Sequence, residues 1–170
     1  MKQEKPRVTD IIRALGLSKD YAGISPFYRE RGIAVHKCIE LFFKGTLDEE
    51  SIDEVCKPYF EGFKKWWAEY SCKTGLIQSE LHLENDDYQG TLDLCVADAI
   101  YDFKCSKSHD RAAEIQGAGY KNLLETDSPF TVIQLPGDGS YKLIEYESSI
   151  ALWDATWTLY QWKMNGGRTK

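Results

Sequence analysis

Gly90-Thr91-Leu92-Asp93-Leu94-Cys95-Val96-Ala97-Asp98-Ala99-Ile100-Tyr101-Asp102-Phe103-Lys104 reads as a short β-hairpin. Alternation from Gly90 to Ala97 predicts a strand with Leu92, Leu94 and Val96 on one face and Thr91, Asp93 and Cys95 on the other. Ala97-Asp98 is a candidate two-residue turn, although it lacks the glycine such turns commonly use. From Ala99 to Lys104 the alternation places Ile100, Asp102 and Lys104 on a common face. A turn centred on Ala97-Asp98 sets Asp93 opposite Asp102, with Cβ atoms about 4.5–5.5 Å apart. Two carboxylates at that distance repel, and a bound divalent cation is the usual way for both to stay ionised.

Working outward, Val8 to Leu15 predicts a short helix ending at Gly16, and Ser18 to Pro26 reads as loop. A stronger helix is expected from about Gly32 to Lys44, stopping at Gly45. Another begins at Ser51 and carries Val55, Tyr59, Phe63, Trp66 and Tyr70 at helical spacing, a pattern that belongs to a core. Leu76 to Leu83 reads as the strand before the hairpin, and a helix is expected over roughly His109 to Glu125. Phe130 to Leu135 and Tyr141 to Tyr146 form a second hairpin, turning at Pro136-Gly137-Asp138-Gly139. A last helix, about Ser148 to Met164, aligns Ile150, Trp153, Trp157, Tyr160 and Met164 on one stripe, and Gly166 to Lys170 should fray. This order predicts an α/β (α+β) fold, a central mixed β-sheet flanked by helices. Residues 1–170 are read as one domain, with 1–30 a helical and loop extension and 165–170 a frayed tail.

The composition agrees with one packed domain. The 170 residues are 42 % hydrophobic and 13 % aromatic, enough to bury a core. No apolar run is long enough to span a bilayer, and Met1 to Arg7 is charged with no apolar h-region after it, so neither a membrane association nor a secretion signal is expected. Five cysteines without CxxC spacing read as reduced thiols of a cytoplasmic protein and argue against structural zinc. A formal net charge of −6 argues against nonspecific coating of nucleic acid, while leaving room for a local basic rim.

The hairpin carboxylates have company. Gly32-Ile33-Ala34-Val35-His36 lies on the first strong helix, with Glu40 one turn later. Gly90-Thr91-Leu92-Asp93 is on a strand, Asp102-Phe103-Lys104 on the next, and Gln116 and Tyr120 share a face of the helix that follows. This ordered set, G-x-x-x-H, G-x-x-D, D-x-K and Q-x-x-x-Y over about residues 31 to 120, resembles the PD-(D/E)XK nuclease superfamily, specifically its RecB-like exonuclease branch and its small phage-type members. Cys105-Ser106 replaces the common Thr-Gly after the lysine.

The resemblance implies a restriction-endonuclease-like core and a set of roles. His36, Asp93, Asp102 and the Phe103 backbone carbonyl would hold Mg²⁺ or Mn²⁺, with Glu80 a possible further ligand through water. Lys104 would position or help deprotonate the attacking water and stabilise charge on the phosphate, and Gln116 and Tyr120 would orient Lys104 or the phosphate. Asp93, Asp102, Lys104, Gln116 and Tyr120 thus form the catalytic set. Iron–sulfur relatives need three cysteines near the C-terminus, and none follows Cys105, so no cluster is expected. No P-loop is present, so no nucleotide cofactor is expected and any helicase or recombination partner would be a separate chain.

Arg29 and Arg31, read as preceding the His36 helix, together with Lys107, Arg111 and Lys121 form a basic rim suited to DNA phosphates. Phe27 or Tyr28 could stack on a base of a frayed end, although a loop aromatic more often packs into a core. The implied activity is a metal-dependent deoxyribonuclease, an exonuclease on single-stranded or duplex ends in recombination or repair, in a bacterial or phage-infected cell. The alternatives are an inactive nuclease-fold binding or assembly module, and a structure-specific or RNA-directed endonuclease. An oligomer is compatible with the sequence.

Overall fold

A computed structural model describes residues 4–18, 25–70, 75–97, 99–108 and 110–166. Its elements are α1 (Val8–Ala14), α2 (Pro26–Phe43), a 3₁₀ turn (Glu49–Ser51), α3 (Lys57–Tyr70), β1 (Ile77–Glu84), β2 (Gln89–Val96), β3 (Ala99–Lys104), α4 (Ala112–Leu124), β4 (Phe130–Gln134), β5 (Lys142–Tyr146) and α5 (Ile150–Met164). The strands form one mixed sheet in the order β1-β2-β3-β4-β5. All neighbours are antiparallel except β3 and β4, which run parallel and are joined by α4 as a crossover. This is the α/β architecture expected from the sequence.

The sheet separates two apolar layers. On one face α2 and α3 supply Val35, Ile39, Phe60, Phe63 and Trp66, packed on Leu94, Val96, Phe103 and Ile133. On the other, α1, α4 and α5 supply Val8, Ile11, Ala118 and Trp153 over Leu92, Ile100, Phe130 and Val132. β4 is buried along its whole length, the pattern of a central strand covered on both sides. Val8 and Ile11 are fully buried, so α1 is built into the second layer. Among the described residues, no helix is long and apolar enough to cross a membrane.

Several local expectations shift. α2 starts at Pro26, whose ring suits the first helical position, and ends where Gly45 turns left-handed (φ 67°) and Thr46 N–H reaches back to Leu41 O. Arg29 and Arg31 therefore lie inside the helix rather than before it. Ser51 ends a 3₁₀ turn, and α3 begins only at Lys57, leaving Val55 exposed while Tyr59, Phe63 and Trp66 enter the core. Met164 is exposed at the end of its stripe, which Trp153 anchors. The hairpin register pairs Val96 with Ala99 and Leu94 with Tyr101, as a turn centred on 97–98 requires. Ala97 takes the positive φ (51°) that a glycine would have supplied. Asp98, His109, most of the Ser18–Pro26 stretch, Cys72, the Tyr70 side chain and residues 167–170 of the tail lie outside what is described. Cys38, Cys56 and Cys105 are free thiols.

The strand alternation breaks at one place. Leu94 and Val96 face α2 and α3, but Leu92 faces α1 and α4, so the three do not share a face. The change occurs at Asp93. Its counterpart on β1 is Glu80, which has φ 51° and is skipped in a ladder that otherwise pairs Ser79 with Leu94 and Leu81 with Leu92. A local kink thus turns one acidic residue on each strand out of the regular pleat.

Close approach of α4 rests on two glycines. A Cβ on Gly117 would stand 2.3 Å from Phe130 Cδ1, and one on Gly119 would stand 2.9 Å from Val8 Cγ1 and from the Trp153 ring. Gly117→Ala should lower stability by about 1–3 kcal/mol through overpacking, despite alanine's better helix propensity. Urea denaturation of the two proteins measures the difference, and an unchanged midpoint would contradict this packing.

Candidate active site

The site forms where a side chain of α2 reaches β2 and β3. His36 projects from α2 to Phe103, with Nε2 2.9 Å from the carbonyl oxygen, and its Nδ1 lies 3.4 Å from Asp93 Oδ1. Asp93 Oδ2 in turn accepts the Phe103 N–H at 2.7 Å. The backbone pairing of β2 and β3 runs from Val96–Ala99 to Leu94–Tyr101, and this side chain takes over the next link. The strands part there, and Phe103 is gripped from both sides of its peptide.

Among the described residues, His36, Glu80 and Asp93 are the group that can offer one metal-ligating atom each, all within 4.8 Å of one another. Glu80 belongs to this group directly, because the kink at positive φ swings it toward Asp93. Asp102 stands outside the group. It is 1 % exposed and engaged on both oxygens: Gln116 Nε2 donates to Oδ1 at 3.0 Å, and Lys104 Nζ lies 2.7 Å from Oδ2. Lys104 also donates to Gln116 Oε1 at 3.2 Å, and Gln116 Nε2 lies 2.9 Å from the buried Tyr120 hydroxyl. Gly90 makes room for that tyrosine, since a Cβ there would sit 2.8 Å from its ring. The residues of the four motifs therefore meet as two adjoining groups, a histidine–carboxylate cluster and an Asp102–Lys104–Gln116–Tyr120 chain.

The electrostatics fit a cation in the first group. Burial disfavours the His36 imidazolium, yet the charge and hydrogen bond of Asp93, with the charge of Asp102, outweigh it and raise its pKa to about 9. Burial likewise opposes ionised Asp93, but the positive charge of His36 wins and holds the carboxyl below its usual range. Glu80 is pushed up by burial and by Asp93. Burial also pushes Asp102 up, against the pull of Lys104. The protonated histidine thus supplies the positive charge that two converging carboxylates need. Two carboxylates, one imidazole and a nearby peptide carbonyl form an oxygen-rich donor set that could hold a divalent cation.

The surrounding surface is an open groove of about 510 Å³ that holds this cluster with Tyr28, Arg29, Gly32, Lys104 and Ser106. Arg29 lines it and is exposed, as are Lys107 and Arg111 beyond β3. Two members of the expected basic rim are elsewhere. Arg31 turns inward, with Cζ 4.3 Å from the Tyr59 ring centroid and Nη2 3.4 Å from Cys105 O. Lys121 is buried and donates to Glu147 O at 2.9 Å, tying α4 to the segment before α5. Glu40 closes ion pairs with Lys37 and Lys44.

A second cavity of about 180 Å³ lies behind Lys104, between α1, α4, β4 and β5. Gln134, the register partner of Lys104 on β4, and Tyr146 line it, and Gln134 Nε2 and Tyr146 Oη are buried without a hydrogen-bond partner. Sequence reading passed over both. The available signal was a glutamine closing the otherwise apolar run Phe130 to Leu135.

No family model matches the chain, and no curated protein matches its sequence. Solved structures share its fold. A candidate exonuclease from Eubacterium rectale aligns with a TM-score of 0.52 at 14 % identity, over 92 % of this chain and 70 % of its own. An alkaline exonuclease from Laribacter hongkongensis also gives 0.52, at 12 % identity, over 96 % of this chain and 89 % of its own. The mixed sheet flanked by helices is thus the fold of known and candidate exonucleases.

A metal must displace the His36 proton, so Mn²⁺ affinity should rise about tenfold per pH unit up to about pH 9 and then level. In chelator the sign reverses: stability from the raised His36 pKa is complete below about 6.5 and lost as pH rises through about 9. Titration calorimetry and thermal melts of wild type and His36→Gln measure both, and a pH-independent affinity would remove His36 from the ligand set.

Proposed function

We propose that the chain is a metal-dependent deoxyribonuclease that hydrolyses phosphodiester bonds, acting as an exonuclease on single-stranded or frayed DNA ends in recombination or repair. One observation carries this reading. A donor set suited to a hard divalent cation adjoins a lysine held by a buried carboxylate, in one groove. The exonuclease folds of the structural neighbours support the reaction class.

His36, Glu80, Asp93 and the Phe103 carbonyl would hold the cation, with Asp102 bounding the site on the Lys104 side. A bound divalent cation supplies a water that ionises near neutral pH and neutralises phosphate charge. The residues do the rest. Lys104, ion-paired to Asp102 and donating to Gln116, is held as a fixed positive charge facing the groove. It stabilises the negative charge that builds on the phosphate oxygens as water oxygen bonds to phosphorus and the bond to the leaving sugar oxygen breaks. Gln116 uses its carbonyl to hold Lys104 and its amide to hold Asp102, so the lysine reaches the reaction already oriented. Tyr120 stays a neutral hydroxyl, its pKa raised by burial and by the nearby aspartates. Arg29, Lys107 and Arg111 would meet phosphates outside the scissile position.

Digestion of labelled linear single strands, linear duplexes and closed circles with Mg²⁺ or Mn²⁺ tests the reading. Wild type should degrade linear DNA. Lys104→Ala should lower kcat by about 10²–10³-fold, and Gln116→Ala by about tenfold or more. Cleavage of closed circles would overturn the exonuclease assignment, and no cleavage of any substrate would overturn the enzyme itself.

A further inference from the structure

Tyr28 is the exposed end of a stacked series that starts in the core. Tyr59 is buried, the Arg31 guanidinium lies 4.3 Å over its ring, and the same guanidinium is 5.1 Å from the Tyr28 ring centroid. Phe27 braces Tyr28 edge-on at 5.7 Å and 72°. Cation–π contact and this edge-on ring fix the orientation of Tyr28. Yet Tyr28 remains 54 % exposed and lines the groove that contains His36, Glu80 and Asp93.

The helix also leaves a path from this ring to the metal-ligating cluster. Tyr28, Gly32 and His36 follow at intervals of four, so they lie along one face of α2. A Cβ on Gly32 would meet nothing within 4 Å, so this glycine serves no packing need and keeps the face open between the two side chains. Arg29 lines the same groove and suits a backbone phosphate. An oriented, uncovered ring beside a cation and a charged groove matches an unpaired base attached to its phosphate.

We propose that Tyr28 is a nucleobase-stacking platform that seats an unpaired base of a single-stranded DNA end, with the strand crossing Gly32 to reach the metal-ligating cluster. The proposal rests on the nuclease reading above and assigns the feature by which that site would select unpaired ends. Eight residues of helix separate Tyr28 from His36 by about 12 Å. That distance corresponds to roughly three or four nucleotides of stacked strand at 3.4 Å each.

The test is DNA binding in a Lys104→Ala background, which keeps the bound strand intact. Single-stranded oligonucleotides carry 2-aminopurine at one of positions one to eight from the end. Quenching should peak at one internal position, vanish in Tyr28→Ala and survive in Tyr28→Trp. Tyr28→Ala should weaken single-strand binding about 5- to 150-fold, the range of one lost base stack. It should leave blunt duplex binding, Mn²⁺ affinity and melting temperature unchanged. Gly32→Leu should weaken single-strand binding without lowering the melting temperature. Uniform quenching, an affinity within twofold of the parent, or a parallel loss of Mn²⁺ binding would overturn the platform while leaving the nuclease reading in place. Absence of any DNA binding by the parent would overturn both.

Discussion

A carboxylate cannot be buried in this fold without partners, and Asp102 is buried almost completely. An unpaired charge there would cost several kcal/mol, enough to consume much of a small domain's stability. The fold meets that demand with Lys104 two residues along the same strand and with Gln116 on the crossover helix. Both solutions impose geometry. Lys104 must curl back over its own strand, and α4 must lie close enough for a glutamine to reach the sheet. Gly117, set against Phe130 of β4, allows that approach, Gly119 lets α1 and α5 close over α4, and Tyr120 fills the space left by Gly90. The electrostatic need of one side chain thus fits the glycine at 117 and the glycine that opens the β2 motif.

The second group answers a different constraint. Regular strands would send Asp93 and Leu94 to opposite faces, yet both address α2. The kink that permits this places Glu80 at positive φ, an unfavourable conformation for a residue with a Cβ. Its effect is to set a second carboxylate beside Asp93 and under His36. The strained backbone and the converging charges occur at the same pair of residues, and the peptide of Phe103 is held there by a donor and an acceptor at once.

The sequence made the hairpin legible because its turn is short and its apolar alternation is strong, and the register follows from those two facts. It made Asp102 with Lys104, and Gln116 with Tyr120, legible as same-face pairs through their spacings, and the resemblance implied that the two pairs meet. It did not reveal the face change at Asp93, because periodicity carries no signal for a single kinked residue. Glu80 therefore read only as a possible ligand through water, whereas its carboxylate lies within the ligand group itself. The inward turn of Arg31 was hidden for a related reason: cation–π partners such as Tyr59 are distant in sequence, and a solvated arginine looks the same as a stacked one. Lys121 misled similarly, since its carbonyl partner at Glu147 belongs to a later segment.

The contact between His36 and the Phe103 carbonyl joins positions 67 residues apart. The three-stranded meander closes through short loops and can gather early, whereas α2 must return across a long chain segment to reach it. The half of the site carried by the strands rests on local contacts, and the half carried by the helix on long-range ones. On the proposed function, a cation that needs both halves would bind only the docked arrangement, act as a clasp between α2 and the sheet, and draw the equilibrium toward the finished fold by mass action. The proposed chemistry and the docking of α2 would then depend on the same atoms, and a chain that has not seated α2 would lack the histidine half of the centre.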